Sequence, residues 1–385
     1  MGTEQSVSRL DYVPLWDGLE VQPAKLKQKV HKKIPLFKTA YHGVWSFAYP
    51  DSIAPEPRVG HAFSYDASTE SIVIAYGYGS SQRYLNDIWS LNIATNRWTQ
   101  IKANLLSPRS YPSGTLVGRQ FYIFGGECNS KYYSDLHYIN LDTGEVRIVE
   151  VPGIQPSPRS SAVFFALPDA LFLWGGSTNG QIHSGVHILR ANADGWHRHE
   201  LMHTGRAAPA YCTHRGCYYI FGSSKGHGII KFDPHKKTFE SLHCTGTEPS
   251  HEMQHAAICG VSDYLFVVGG EAESSFMHIY ALDLNRNWWF AFHVRPDMES
   301  LGPEDGAINK VGLFMLPREH SATLVYHEKT RTLISTLGSK MHNPPPTFHL
   351  SIGQALAALH MRSDMYDVLH LSLPKSSLTA EVDAE

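Results

Sequence analysis

Ile123-Phe124-Gly125-Gly126 is a short apolar run stopped by two glycines, and the chain repeats it with variation. Ile74-Ala75-Tyr76-Gly77, Leu173-Trp174-Gly175-Gly176, Ile220-Phe221-Gly222-Ser223, Val267-Val268-Gly269-Gly270 and Thr336-Leu337-Gly338-Ser339 have the same form. Their last members stand at 77, 126, 176, 223, 270 and 339, so four of the five intervals are 47–50 residues and the fifth is 69. Self-similarity at a fixed period of this size marks a chain of stacked supersecondary units; the fifth interval requires an insertion. A glycine pair supplies positive φ and close backbone approach where units converge.

Other signals travel with the glycines. Pro-Arg precedes them at Pro57-Arg58, Pro108-Arg109, Pro158-Arg159 and Pro317-Arg318, with Gly205-Arg206 as a variant and Pro249 to Glu252 as a departure. Alternating strands follow, as in Asp87-Ile88-Trp89-Ser90-Leu91, Asp135-Leu136-His137-Tyr138-Ile139 and His278-Ile279-Tyr280-Ala281-Leu282. A large apolar residue then marks one more strand: Trp98, Val146, Trp196, Phe239 and Trp288. Four short strands per unit make one propeller blade.

Over Gly43 to Leu373 these residues resemble the kelch-repeat family. The resemblance implies an all-β, six-bladed β-propeller that acts by binding protein partners rather than by catalysis. It implies that Arg58, Arg109, Arg159, Arg206 and Arg318 brace backbone between blades, or line one mouth of the channel for an acidic ligand. Some kelch-like propellers are enzymes. The tyrosine, cysteine and histidine ligand set of the copper oxidases has no match here, which leaves an epimerase-like enzyme or small-ligand binder at the channel mouth as the alternative.

The sixth repeat starts at Pro317-Arg318, continues at Thr332 to Gly338 and finds a third strand at Tyr366 to Leu371. Its fourth strand is missing there, and Gly43-Val44-Trp45-Ser46-Phe47 has the right character. An N-terminal strand completing the last blade would remove exposed sheet edges. Two insertions break the period, Phe292 to Leu316 and Lys340 to Asp364; Ser351 and Gln354 in the second form a capping-box pattern ahead of a short helix. Loops between second and third strands and the connections between blades emerge on one face, so both insertions belong there. Partner-binding candidates on that face are Tyr78, Arg83, Tyr84, Lys131, Tyr132 and Tyr133, with Met298, Leu301, His342 and Phe348 from the insertions. Tyrosine and arginine are favoured at interface hot spots.

The net charge of -3, from 33 basic and 36 acidic residues, argues against a nucleic-acid partner. Cys128, Cys212, Cys217, Cys244 and Cys259 form no CxxC pair, and with no secretory signal they read as reduced thiols in a cytoplasmic protein. Met1-Gly2-Thr3-Glu4-Gln5-Ser6 fits the N-myristoylation pattern at Gly2. Lys25, Lys27, Lys29, Lys32 and Lys33 supply the basic second signal that stable membrane attachment needs. Residues 1–42 thus read as a tether, 43–373 as the propeller and 374–385 as an acidic tail.

Metal chemistry finds little support. His251-Glu252-Met253-Gln254-His255 matches H-E-x-x-H, but that zinc site needs a helix, and this stretch enters a strand where positions four apart lie ~13 Å from each other. His255 reads instead as the counterpart of His61. His197 and His199 share a strand face near His203 and read as a solvated outer strand. No cofactor is expected.

Overall fold

Four of the repeats contribute an outer hairpin whose turn is written in the sequence. Between third and fourth strands the side chains of Asn92, Asn140, Asp233 and Asp283 accept backbone N–H bonds from residues two or three positions on. Four residues after each, Asn96, Gly144, Lys237 and Asn287 adopt positive φ. This pairing of an Asx side chain with a left-handed residue is the chemistry of short hairpin loops.

The computed structural model describes residues 43–191, 195–200, 203–223, 228–250, 253–309, 313–339 and 342–352. Within them the chain folds into an all-β propeller with next to no helix. Five antiparallel meanders follow one another. The first orders Ala62–Asp66, Ser71–Ala75, Ile88–Asn92 and Arg97–Ile101 from the centre outwards, with Ile74 opposite Trp89 and Leu91 opposite Trp98. The second, third and fourth repeat this plan, and the fifth adds Thr245–Gly246 alongside Trp288–Phe292. Chain order equals spatial order in every meander. One face therefore carries the loops between second and third strands and the connections between sheets (the loop face), and the other carries the hairpins (the hairpin face).

The large apolar residue of the outer strand stands seven residues after its partner: Leu91 with Trp98, Ile139 with Val146, Leu189 with Trp196, Phe232 with Phe239. In the fifth sheet this rule selects Trp289, opposite Leu282 and fully buried, rather than Trp288. Two adjacent tryptophans offered the choice, and the pleat turns only one inward.

The core lies between sheets. Ala62, Val73 and Ala75 of the first pack on Phe121, Ile123 and Ile139 of the second. Ile72, Ile74 and Trp98 pack on Val325, Ile334 and Leu337 from the far end of the chain. There Thr323–His327, Thr332–Thr336 and Thr347–Ser351 lie side by side, and Gly43–Ala48 runs antiparallel to the last of them, Trp45 facing Leu350. The third strand is thus Thr347–Ser351 and not Tyr366–Leu371, which lies outside the described residues. Pro344-Pro345-Pro346 ends the loop, and the β-favouring Thr-Phe-His-Leu run follows at once. Ser351, expected to cap a helix, closes this strand; the rest of the proposed helix lies outside the described residues.

A cycle of backbone hydrogen bonds joins the sheets. The second member of each glycine pair donates its N–H to a carbonyl of the next repeat: Gly77 to Arg109, Gly126 to Arg159, Gly176 to Arg206, Ser223 to Met253, Gly270 to Glu319, and Gly338 back to Arg58. The sixth pair is therefore Leu337-Gly338, one residue earlier than the sequence pattern placed it. Both members of every pair have positive φ, including the non-glycines Tyr76, Ser223 and Leu337. At Gly125 (φ 69) a Cβ would lie 2.4 Å from the carbonyl oxygen of Arg159. Gly125→Ala is expected to lower stability by about 2–4 kcal/mol, through backbone strain and a displaced neighbouring strand, read as the shift in urea midpoint at unchanged slope.

Candidate functional site

The arginines of the Pro-Arg repeats are interior braces. Arg58, Arg109, Arg159 and Arg206 are all but fully buried. Arg109 donates to the carbonyl of Gly125 at 2.9 Å and to both oxygens of Asp135. Arg159 reaches the Gly175 carbonyl and Arg206 the Gly222 carbonyl. Arg58 pairs with Asp87 and donates to the Tyr76 carbonyl. Each guanidinium satisfies a carbonyl that the left-handed turn frees, and none lines the mouth as a docking site for acid. In the fifth repeat Met253 takes the arginine's place, and Arg318 lies 3.5 Å from its sulfur. Burial alone pushes Arg206 down to about 10, and burial with the Arg198 charge does the same to Arg159; both remain cationic near neutrality.

Six segments, 60–65, 111–115, 161–165, 208–213, 255–260 and 321–326, surround a central cavity of about 510 Å³. Its wall contains no aspartate, glutamate, lysine or arginine, and its titratable imidazoles are His61 and His255. Burial drives His61 down to about 3, helped by the Arg58 charge, and His255 down to about 4, helped by His320. Both rings are neutral at physiological pH.

At the loop-face end of the cavity, Gly60, Tyr111, Ser161, Ala208, His255 and Ser321 occupy equivalent positions, all with φ between 52 and 60. Tyr111 donates its N–H to Gly60, Ser161 to Tyr111, Ala208 to Ser161, His255 to Ala208 and Ser321 to His255. His255 is therefore the counterpart of Gly60, one place before His61. Four members are small and two are large. Tyr111 and His255 stand three places apart in this order, and their rings meet at 4.6 Å between centroids. The rings bar the mouth. The Tyr111 hydroxyl, beside Ser321, is pushed up to about 12 by burial and by the charges of Glu271 and Glu127. Sequence reasoning passed over this ring, although each of its first four members follows the repeat arginine by two residues.

The tyrosine-rich loops stand next to it. Tyr78 and Tyr84 pack edge to face at 5.1 Å. Tyr132 pairs across its hairpin with Glu127. Tyr133 lies beneath the Arg109 guanidinium at 4.0 Å, and Lys131 is 5.2 Å from the same ring. Arg83 is exposed and 3.9 Å from Glu56. Met298 and His342 are exposed. Leu301 and Phe348 are not contact residues: they are 3 % and 7 % exposed and belong to the core, Phe348 stacked 4.9 Å from Trp45. Apolar side chains inside apparent loops turned out to anchor the segments that carry them. Gly2 and the five lysines from Lys25 to Lys33 lie outside the described residues, as do His251 and Glu252. His255 sits at the start of the strand Gln254–Val261, which rules out the helical zinc geometry. Among the described residues no three His, Cys, Asp or Glu side chains gather as a metal site, and no helix is long and apolar enough to cross a membrane. All five cysteines are free thiols.

A ring of meanders joined by glycine pairs and braced by repeat arginines defines a kelch propeller. The chain belongs to the kelch-repeat family: the model for the KLHDC2/KLHL20/DRC7 Kelch-repeats domain matches residues 15–223. Kelch domain-containing protein 2 of Bos taurus is 29% identical over 174 residues, covering 44% of this chain and 40% of that protein. Host cell factor 2 of Homo sapiens is 26% identical over 158 residues, 34% of this chain and 20% of that protein. Tip elongation aberrant protein 1 of Schizosaccharomyces pombe is 26% identical over 185 residues, 44% and 16%. The matches span well under two thirds of each of these relatives. Proteins of this family commonly serve as interaction modules.

His61 makes a pH prediction. Its folded pKa is depressed below the unfolded value of 6.5, so the unfolded chain binds the extra proton and stability falls as pH drops below 6.5 towards 3. Urea midpoints should fall between pH 7 and pH 5, with His61 contributing on the order of 1–2 kcal/mol, and His61→Leu should flatten that slope.

Proposed function

We propose that this protein is a kelch adaptor whose loop face holds a protein partner. The observation that carries this reading is where large apolar side chains remain in water. Among the described residues six are exposed, and four of them, Tyr49 (50 %), Ile53 (84 %), Ile154 (87 %) and Met298 (49 %), lie on sheet-to-sheet connections of the loop face. Such side chains gathered on one face, around a polar and aromatic centre, fit the anatomy of an interface. The family relationship supports the same reading. Tethering of the protein to a membrane through Gly2 and the lysine run rests on the sequence pattern, and loss of membrane partition in Gly2→Ala tests it.

The reading includes a six-bladed ring in which Gly43–Ala48 completes the last blade. The cavity wall of six segments and the bond from Gly338 to Arg58 support it. Deleting residues 1–48 should expose the Thr347–Ser351 edge and yield aggregated protein by size-exclusion chromatography; a monodisperse, cooperatively melting product contradicts it.

The functional test compares substitutions on the two faces. Ile53→Asp, Ile154→Asp and Met298→Asp together should lower recovery of co-purifying proteins at least tenfold by quantitative mass spectrometry. Val117→Asp, on the hairpin face, should leave recovery unchanged. Equal effects from both would remove the loop face as the interface.

A further inference from the structure

We infer that the mouth of the central channel is a receptor for a cationic side chain, a lysine or arginine presented by the partner, seated between Glu127 and Glu271 against the tyrosine rings. This rests on the loop face being the interface and names the chemistry at its centre.

The repeat fixes the geometry. Glu127 and Glu271 each follow a glycine pair, Gly125-Gly126 and Gly269-Gly270. Glu127 exchanges backbone hydrogen bonds with Ser110, next to Tyr111, and Glu271 pairs with Gln254, next to His255. The two carboxylates thus rise beside the two large members of the mouth ring, three repeats apart and so on opposite sides of the channel. Serine fills the same place at Ser177 and Ser339, and tyrosine at Tyr78.

The aromatic part is independent of the acids. Tyr111 lies at the mouth, with the Tyr78 and Tyr84 pair and Tyr132 beside it. Tyrosine faces attract lysine and arginine at short range. The resident cations are occupied elsewhere: Arg58 and Arg109 are buried on Asp87 and Asp135, Arg83 lies by Glu56, and Lys131 covers Tyr133. Among the described residues no lysine or arginine pairs with Glu127, and Glu271 has the His320 imidazole at 3.5 Å. The field of both carboxylates reaches the Tyr111 hydroxyl, which they help to hold neutral.

A third observation lies just inside. His61, on the cavity wall one residue beyond Gly60, is 8 % exposed; its ring has the Arg58 backbone carbonyl as an acceptor for one N–H, and no donor among the described residues reaches its other nitrogen. A neutral imidazole nitrogen left without a donor is an acceptor for an N–H group, and burying it unpaired is unfavourable. The uncharged wall gives a cation no counter-charge deeper in the channel, so the charged head stops at the glutamates. An anion there would meet two carboxylates and no free guanidinium.

The test uses the full chain and three fluorescein-labelled, acetylated and amidated octapeptides, Gly-Ser-Arg-Ser-Gly-Arg-Ser-Gly and the same sequence with both arginines replaced by glutamate or by glutamine. Fluorescence polarisation at low salt should rank arginine above glutamine above glutamate. Glu127→Gln with Glu271→Gln should weaken the arginine peptide at least tenfold, and Tyr111→Phe, which keeps the ring, should change it less than threefold. Circular dichroism melts confirm that the double variant folds, since both glutamates are at the surface. Equal binding of the three peptides, absence of binding up to millimolar concentration, or binding unmoved by the double variant would overturn the proposal. If the mouth variants bind the partner like wild type while the rim variants of Ile53, Ile154 and Met298 do not, the interface reading stands and this receptor does not.

Discussion

The structure depends on a bond that each repeat makes with the next one. The N–H of the second residue in a glycine pair must reach a carbonyl one sheet further on, and it does so only with both members of the pair in the left-handed region. That requirement selects glycine, and it tolerates Tyr76, Ser223 and Leu337 where surrounding contacts compensate. Tyr76 shows how. Its ring is fully buried, its hydroxyl lies 2.9 Å from Nε2 of His137, and the other nitrogen of that imidazole meets Asp135. Asp135 in turn receives Arg109. A strained residue in the first sheet is thereby held by the charged brace of the second.

The braces follow from the same constraint. A left-handed pair turns its carbonyls away from the strand ladder, and a buried carbonyl without a donor is costly. A guanidinium with several donors is suited to that task, because it can serve a carbonyl and a carboxylate at once. The repeat arginines are thus part of the interior, and their charge is spent on the blades. What remains for the loop face is the tyrosines, the two glutamates at the mouth and the apolar residues of the rim.

Much of this was legible in the sequence, because period, glycine pairs and arginines are local signals. The closing strand Gly43–Ala48 was legible too, since a strand missing at one end and spare at the other are complementary facts. What the letters hid was register. Trp288 and Trp289 differ by one residue, and only the pairing with Leu282 decides which is buried. Leu301 and Phe348 sit in stretches that break the period, and apolar side chains there looked like contact residues until their packing was known. The mouth ring escaped notice for another reason: Gly60, Tyr111, Ser161, Ala208, His255 and Ser321 share a backbone conformation and no side-chain character. The tether and the tail rest on the sequence alone.

The antiparallel pairing of Gly43–Ala48 with Thr347–Ser351 also sets a direction. Val44 lies opposite Ser351, so the two ends of the described stretch, 43 and 352, stand side by side. Ala48 leads into a loop-face connection, and Thr347 follows one, so both ends lie on the hairpin face. Whatever is joined to either end of the ring is therefore delivered to the same sector and to the side away from the exposed rim. An attachment made through these ends holds the molecule by its back, and the loop face points outward from the anchor, free to receive a partner.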